Sequence, residues 1–140
     1  MFEIVKSVSF CYGHRLLGYQ GPCQHLHGHN ARVDIMLASD QLDEQGMVMD
    51  FGDIKAPIKA WVDDNLDHTM LLCEDDPLIT TLEQAGEKFY VMRDNPTAEN
   101  IAKLIFEYAL TLKFPVKSVT LWESENSFAR YSGTSSGARS

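Results

Sequence analysis

Residues 2–12 alternate, with Phe2, Ile4, Val8, Phe10 and Tyr12 on one face and Lys6 as the exception. Successive side chains of an extended chain point to opposite faces, so this pattern predicts a strand half buried against a core. Gly13 ends it, and Gly18, Gly21 and Pro22 make 16–22 a loop. Alternation resumes at Ala31, Val33, Ile35 and Leu37, a second strand whose apolar set has the parity of His27 and His29. Residues 39–45 are polar and turn-like, and the short apolar run 46–51 predicts a strand extension. The period then changes. Ile54, Ile58, Trp61 and Val62 form the stripe of a helix over about 54–64, with Asp53 as its N-cap. Residues 65–68 break that stripe. Asp76-Pro77 predicts the cap and first residue of a short helix that packs Leu78, Ile79 and Leu82 and stops at Gly86. A short strand follows at 89–92. Thr97 caps the longest helix, which buries Ile101, Leu104, Ile105, Tyr108 and Leu112. Residues 116–122 and 127–131 read as two further strands, and 132–140 as a disordered Ser/Gly-rich tail. This order predicts an α+β fold, helices on one face of an antiparallel sheet of about four strands. The free sheet edges point to oligomerisation.

At 140 residues the chain fits one domain, with an ordinary hydrophobic fraction of 44%. Three cysteines, an odd number, and no signal peptide predict reduced thiols in the cytoplasm. No apolar run approaches the ~18 residues that would span a bilayer, which argues against a membrane partner. The net charge of −8 argues against nucleic acid held by the overall field. An anionic substrate would need a local basic patch. Arg15, Arg32, Lys55 and Lys59 are the candidates, each against the default of a solvated surface cation.

The chemistry concentrates at residues 23–29, Cys-Gln-His-Leu-His-Gly-His. A strand here aims His27 and His29 at one point, where a metal can sit about 2.0–2.1 Å from each nitrogen. The third ligand is His14 or His25. Three successive ligands from one strand would splay over about 13 Å at ~3.3 Å per residue, which favours His14 at the end of the first strand. Three histidines make a catalytic zinc site with an open position. Cys23 is then a free thiol activated by the neighbouring cation, or alternatively a fourth ligand that closes a structural site. Cys11 and Cys73 have apolar neighbours and read as small core residues. Asp67-His68 is a carboxylate–imidazole dyad or simply a turn with an exposed histidine. Glu123, after Trp122, reads more readily as a strand-end charge than as a buried anchor for paired N–H donors. A zinc hydrolase ranks low, since no His-Glu-x-x-His helix is present.

The motifs Phe10-Cys11-Tyr12-Gly13-His14-Arg15-Leu16, Cys23-x-x-x-His27-Gly28-His29-Asn30 and Gly46-Met47-Val48-Met49-Asp50-Phe51-Gly52-Asp53 occur in that order. Leu66-Asp67-His68, Asn95-Pro96-Thr97-Ala98-Glu99-Asn100 and Trp122-Glu123 follow. Together, over residues 2–131, they resemble the 6-pyruvoyl-tetrahydropterin synthase / 6-carboxy-tetrahydropterin synthase family. The resemblance implies one domain over 1–131 with the tunnelling fold, a four-stranded antiparallel sheet with helices on one face. It also implies a barrel-forming homohexamer with active sites at subunit interfaces. It assigns His14, His27 and His29 to Zn2+, Cys23 to the catalytic thiol, Asp67 and His68 to proton transfer, and Glu123 to the pterin ring. The implied substrate is 7,8-dihydroneopterin triphosphate. Three residues between thiol and His-Gly-His match the carboxy type, which also loses acetaldehyde and feeds queuosine synthesis, whereas a longer gap marks the pyruvoyl type. Cys11-Tyr12, where small residues are commoner, and the additional His25 depart from the family pattern. The alternative within the class is a 6-pyruvoyl-type or another side-chain-cleaving pterin variant, and a non-catalytic zinc- or pterin-binding module is the alternative from another class.

Overall fold

The two alternating segments pair edge to edge through backbone hydrogen bonds, in a register that puts their apolar residues on one face. In the computed structural model, which describes residues 1–135, β1 (Phe2–His14) and β2 (His27–Ser39) run antiparallel along their whole length. Then come α1 (Phe51–Asn65), β3 (Thr69–Cys73), α2 (Leu78–Gln84) and β4 (Phe89–Met92). The chain closes with α3 (Ala98–Thr111), β5 (Val116–Ser124) and β6 (Ser127–Tyr131). One sheet holds six strands in the order β4-β3-β1-β2-β5-β6.

The expected four antiparallel strands are present as the contiguous block β1-β2-β5-β6. The sheet is larger than four, because β3 joins β1 in parallel and β4 joins β3 in parallel. β3 is five residues long and largely buried, so it carries no alternation that the sequence could display. β1 also continues through Gly13 to His14, past the expected end. Its Gly13 faces Gly28 across the ladder.

Val8, Phe10 and Tyr12 from β1 and Ala31, Val33, Ile35 and Leu37 from β2 form one buried layer. Ile54, Ile58 and Val62 of α1 and Ile101, Ile105 and Ala109 of α3 cover that layer, so both long helices lie on one face. The other face carries Ser7, Ser9, Cys11, Asn30 and Arg32, and neither long helix lies over it among the described residues.

Two helix starts differ from expectation. Residues 46–50 form turns rather than a strand, and Asp50 is the N-cap of α1, its Oδ1 accepting from Gly52 N at 2.7 Å. Asp53 sits in the first helical turn, where its charge still favours the helix dipole. In α2 no residue is fully buried. Asp76 precedes it with its side chain buried, accepting from Leu78 N at 2.8 Å and pairing with Arg15. Thr97 caps α3 as expected, accepting from Asn100 N at 3.2 Å. At 15 residues, α1 is one residue longer than α3. Residues 132–135 have no regular structure, and the rest of the predicted tail, 136–140, lies outside the described residues. No helix among those described is long and apolar enough to cross a membrane.

Candidate metal centre and active site

Strand register assembles the histidines. His14 stands directly opposite His27, and Tyr12 opposite His29. All four have the parity of the core-facing residues, so their rings emerge on the helix-covered face at the end of the apolar layer. The three imidazole centroids are 4.5, 5.1 and 5.2 Å apart. One ring nitrogen from each lies within 4.8 Å of the others, and His14 Nε2 is 3.2 Å from His29 Nε2.

Two backbone carbonyls fix the tautomers. His14 Nδ1 lies 2.6 Å from Pro96 O, and His27 Nδ1 lies 2.7 Å from His25 O. A carbonyl only accepts, so each Nδ1 carries the proton and each Nε2 presents its lone pair. Burial holds the His14 imidazole below its ordinary pKa. The Pro96 bond opposes this, His27 adds to it, Glu123 opposes it and His29 adds to it, so the ring stays neutral. The set fits a metal ion. Nitrogens about 2.0–2.1 Å from one tetrahedral ion lie about 3.3 Å apart, close to the observed Nε2 separation. His25, the other candidate third ligand, is exposed and contributes only its carbonyl.

Glu123 is brought to the same place. It has the parity of buried Leu121 and stands where the β5–β6 register shifts, an irregularity of the kind that re-aims a side chain. Its Oε2 is 3.7 Å from His29 Nε2 and 3.8 Å from His14 Nε2, and it accepts from the Tyr12 hydroxyl at 3.0 Å. Burial, then the charge and hydrogen bond of Glu123, push the Tyr12 phenol far above its ordinary value. The strand-end surface charge favoured by the sequence is therefore a half-buried neighbour of the three imidazoles.

Cys23 occupies a 3-10 turn, Pro22–Gln24, as a partly buried free thiol. The carbonyl of Cys23 accepts from Leu16 N at 2.8 Å. The thiol does not join the close-set group of imidazoles, which favours an open metal site over a closed one.

Asp67 and His68 do form a dyad, with His68 Nδ1 2.8 Å from Asp67 Oδ2. Both groups are fastened to Cys11, whose N–H donates to Asp67 Oδ1 at 3.0 Å and whose carbonyl accepts from His68 N at 2.7 Å. Burial acts to raise the Asp67 pKa, but the Cys11 N–H and His68 outweigh it and hold the carboxylate ionised. His68 adopts φ +55°, the left-handed region, which a non-glycine residue enters at a cost. The dyad lies beside the Cys11 side chain, with Sγ, an Asp67 carboxylate oxygen and a His68 ring nitrogen within 4.8 Å of one another. That side chain has the opposite parity to Tyr12 and His14, so the dyad is on the opposite face from the imidazoles. There His68 borders a cavity of about 590 Å³ that is lined by Cys11, Gly13, Asn30 and Met70 and also reaches His27 and His29 at the strand ends. Cys11 is thus no core residue, whereas Cys73 is buried.

Of the candidate cations, Arg15 is held by buried Asp76, Arg32 by Asp34 and the Trp122 ring, and Lys59 by Asp63. Lys55 makes no ion pair among the described residues. Sequence reasoning missed the brace behind His14. Asn95 exchanges two 2.8 Å hydrogen bonds with the Leu17 backbone, and Asn100 Nδ2 donates to Asn95 O at 2.9 Å, so the Pro96 carbonyl is held in place. The Asn-Pro-Thr-Ala-Glu-Asn motif was the available signal.

A family model described as 6-pyruvoyl tetrahydropterin synthase matches residues 3–134. The chain belongs to the 6-pyruvoyl tetrahydropterin synthase family. A relative from Rickettsia typhi, a 6-carboxy-5,6,7,8-tetrahydropterin synthase, is 40% identical over 91% of this chain and 98% of its own. One of the same name from Haemophilus influenzae is 32% identical over 94% and 99%. An uncharacterised protein of Wolinella succinogenes of known crystal structure superposes with a TM-score of 0.81 at 30% identity, covering 95% of this chain and 98% of that one. The 6-pyruvoyl tetrahydropterin synthase of Caenorhabditis elegans shares the fold, with a TM-score of 0.69 at 23% identity over 95% and 96%. Membership of the family makes this chain an enzyme, a lyase.

Proposed function

We propose that the protein converts 7,8-dihydroneopterin triphosphate and water to 6-carboxy-5,6,7,8-tetrahydropterin, triphosphate and acetaldehyde, at the zinc centre formed by His14, His27 and His29. The observation that carries this reading is the convergence of three imidazoles, two with carbonyl-fixed tautomers, beside the Glu123 carboxylate. The name borne by the Rickettsia and Haemophilus relatives supports the carboxy product, as does the three-residue gap between Cys23 and His27.

A bound zinc ion would supply Lewis acidity to the side-chain oxygens of the substrate, which makes the neighbouring C–H bonds more acidic. The chain's own groups do the rest. Cys23 as thiolate takes a proton from the side chain, and Glu123 accepts from the N–H donors of the pterin ring. His68, held by Asp67, returns a proton to the ring as triphosphate leaves. Within one chain the dyad and the imidazoles lie on opposite faces of the sheet, so the dyad of one copy serves the centre of a neighbour. A homohexamer with shared sites meets that requirement, and its product would enter deazapurine (queuosine) synthesis.

The test is triphosphate release from 7,8-dihydroneopterin triphosphate by the zinc-loaded protein. Release should stop on chelation and return with added zinc. Release that survives complete metal removal would overturn the reading.

A further inference from the structure

Tyr12 has no part in the roles assigned above, yet it sits at the centre of the site. Its ring is 3% exposed and lies between its neighbours, 5.1 Å from the His14 ring and 5.6 Å from the His29 ring. Its hydroxyl donates to Glu123 Oε2, the oxygen that faces both imidazoles. Glu123 Oε1 accepts from no group among the described residues, and about a quarter of the side chain, 26%, is exposed. The two carboxylate oxygens therefore have different fates. One is tied down inside the protein, and the other remains open to a ligand. A carboxylate turns easily about its last torsion, so a single fixed oxygen decides where the second one points.

We propose that Tyr12 is a positioning residue for substrate recognition: its hydroxyl pins Glu123 Oε2, so that Oε1 is presented to the adjacent N–H donors of a 2-amino-4-oxopteridine ring. This rests on the reading of Glu123 as the ring anchor. A carboxylate held by a buried donor loses less freedom when a ligand binds, and the gain falls on affinity for the ring rather than on the chemical step.

The experiment is a fluorescence titration of the zinc-loaded protein with neopterin, which carries the ring but no triphosphate to eliminate. Zinc content and steady-state turnover are measured alongside. Tyr12→Phe keeps the ring packing and removes only the hydroxyl. It should retain zinc, weaken neopterin about tenfold and raise KM more than it lowers kcat. In a Glu123→Gln background, where the charged acceptor is already gone, Tyr12→Phe should add less than about a twofold loss, because the two residues act as one unit. Neopterin binding by Tyr12→Phe at the wild-type level would overturn the proposal. So would a full additive loss in the double variant, or loss of zinc from Tyr12→Phe, either of which would assign the residue to packing or to the metal site. Zinc-loaded wild-type protein that binds no neopterin would overturn the anchor reading of Glu123 and the proposal together.

Discussion

Whether an imidazole can bind a metal depends on which of its nitrogens is free, and for His14 and His27 two backbone carbonyls decide this. The Pro96 carbonyl is held by the Asn95–Asn100 brace, so Asn100→Ala should lower zinc affinity about tenfold, read by competition with a chromophoric chelator. Unchanged affinity would mean that the carbonyl holds its place without Asn100. Cys23→Ala should keep the wild-type zinc content, because the thiol stands apart from the imidazoles, and lose at least about a hundredfold in turnover. Full activity in that variant would remove Cys23 from the mechanism. The histidines were legible in the sequence because parity and rise are properties of a strand itself. Those rules placed His27 and His29 together and preferred His14 to His25. Glu123 and Tyr12 were not legible as a pair. Parity tells which face a residue occupies, but the Tyr12–Glu123 contact depends on strands that are distant in sequence and on an irregularity in β5 that leaves no mark in composition.

The elements were read best where one face is wet. β1, β2, α1 and α3 each show their period, whereas β3 is too short and too buried to show any. Close approach between elements adds a constraint at the glycine pair. A Cβ at Gly28 would meet the Tyr12 backbone oxygen at 3.1 Å, while one at Gly13 would meet the end of the flexible Met70 side chain. Gly28→Ala should therefore cost about 1 kcal/mol by chemical denaturation, and Gly13→Ala markedly less. Equal costs would mean that β1 and β2 yield more readily than this geometry implies. The junction of β1 with α2 has a pH signature. Arg15 first, with the Leu78 N–H, holds the Asp76 carboxylate below its ordinary value against the effect of burial. A depressed folded pKa stabilises the fold above the unfolded value of about 3.9, and that contribution is lost as pH falls through the folded value. Asp76→Asn should cost about 2 kcal/mol at pH 7 and flatten the fall in Tm below pH 4. An acid limb unchanged by the substitution would place the sensitive carboxylate elsewhere.

At the scale of the whole molecule, the strand order among the described residues leaves β4 and β6 as free edges and one sheet face without a long helix, with the dyad on that face and the imidazoles on the other. A site that uses both groups must be shared between copies, so two inactive variants should complement one another. His29→Ala and His68→Ala subunits, unfolded and refolded together in equal amounts with zinc, should regain activity at about a quarter of their sites, because a statistical mixture leaves that share with both groups intact. No recovery, in assemblies shown by mass to be mixed, would mean that the dyad acts within its own chain or not at all. The pattern of one chain shows the unpaired edges but not what meets them, and the expectation of sites shared between subunits came from the family resemblance alone. The central claim concerns the product, and mass spectrometry of a reaction of zinc-loaded protein with 7,8-dihydroneopterin triphosphate tests it most directly. The account predicts 6-carboxy-5,6,7,8-tetrahydropterin with one acetaldehyde per triphosphate released. A 6-pyruvoyl product with no acetaldehyde would contradict it, leaving the metal centre in place but removing side-chain cleavage from its chemistry.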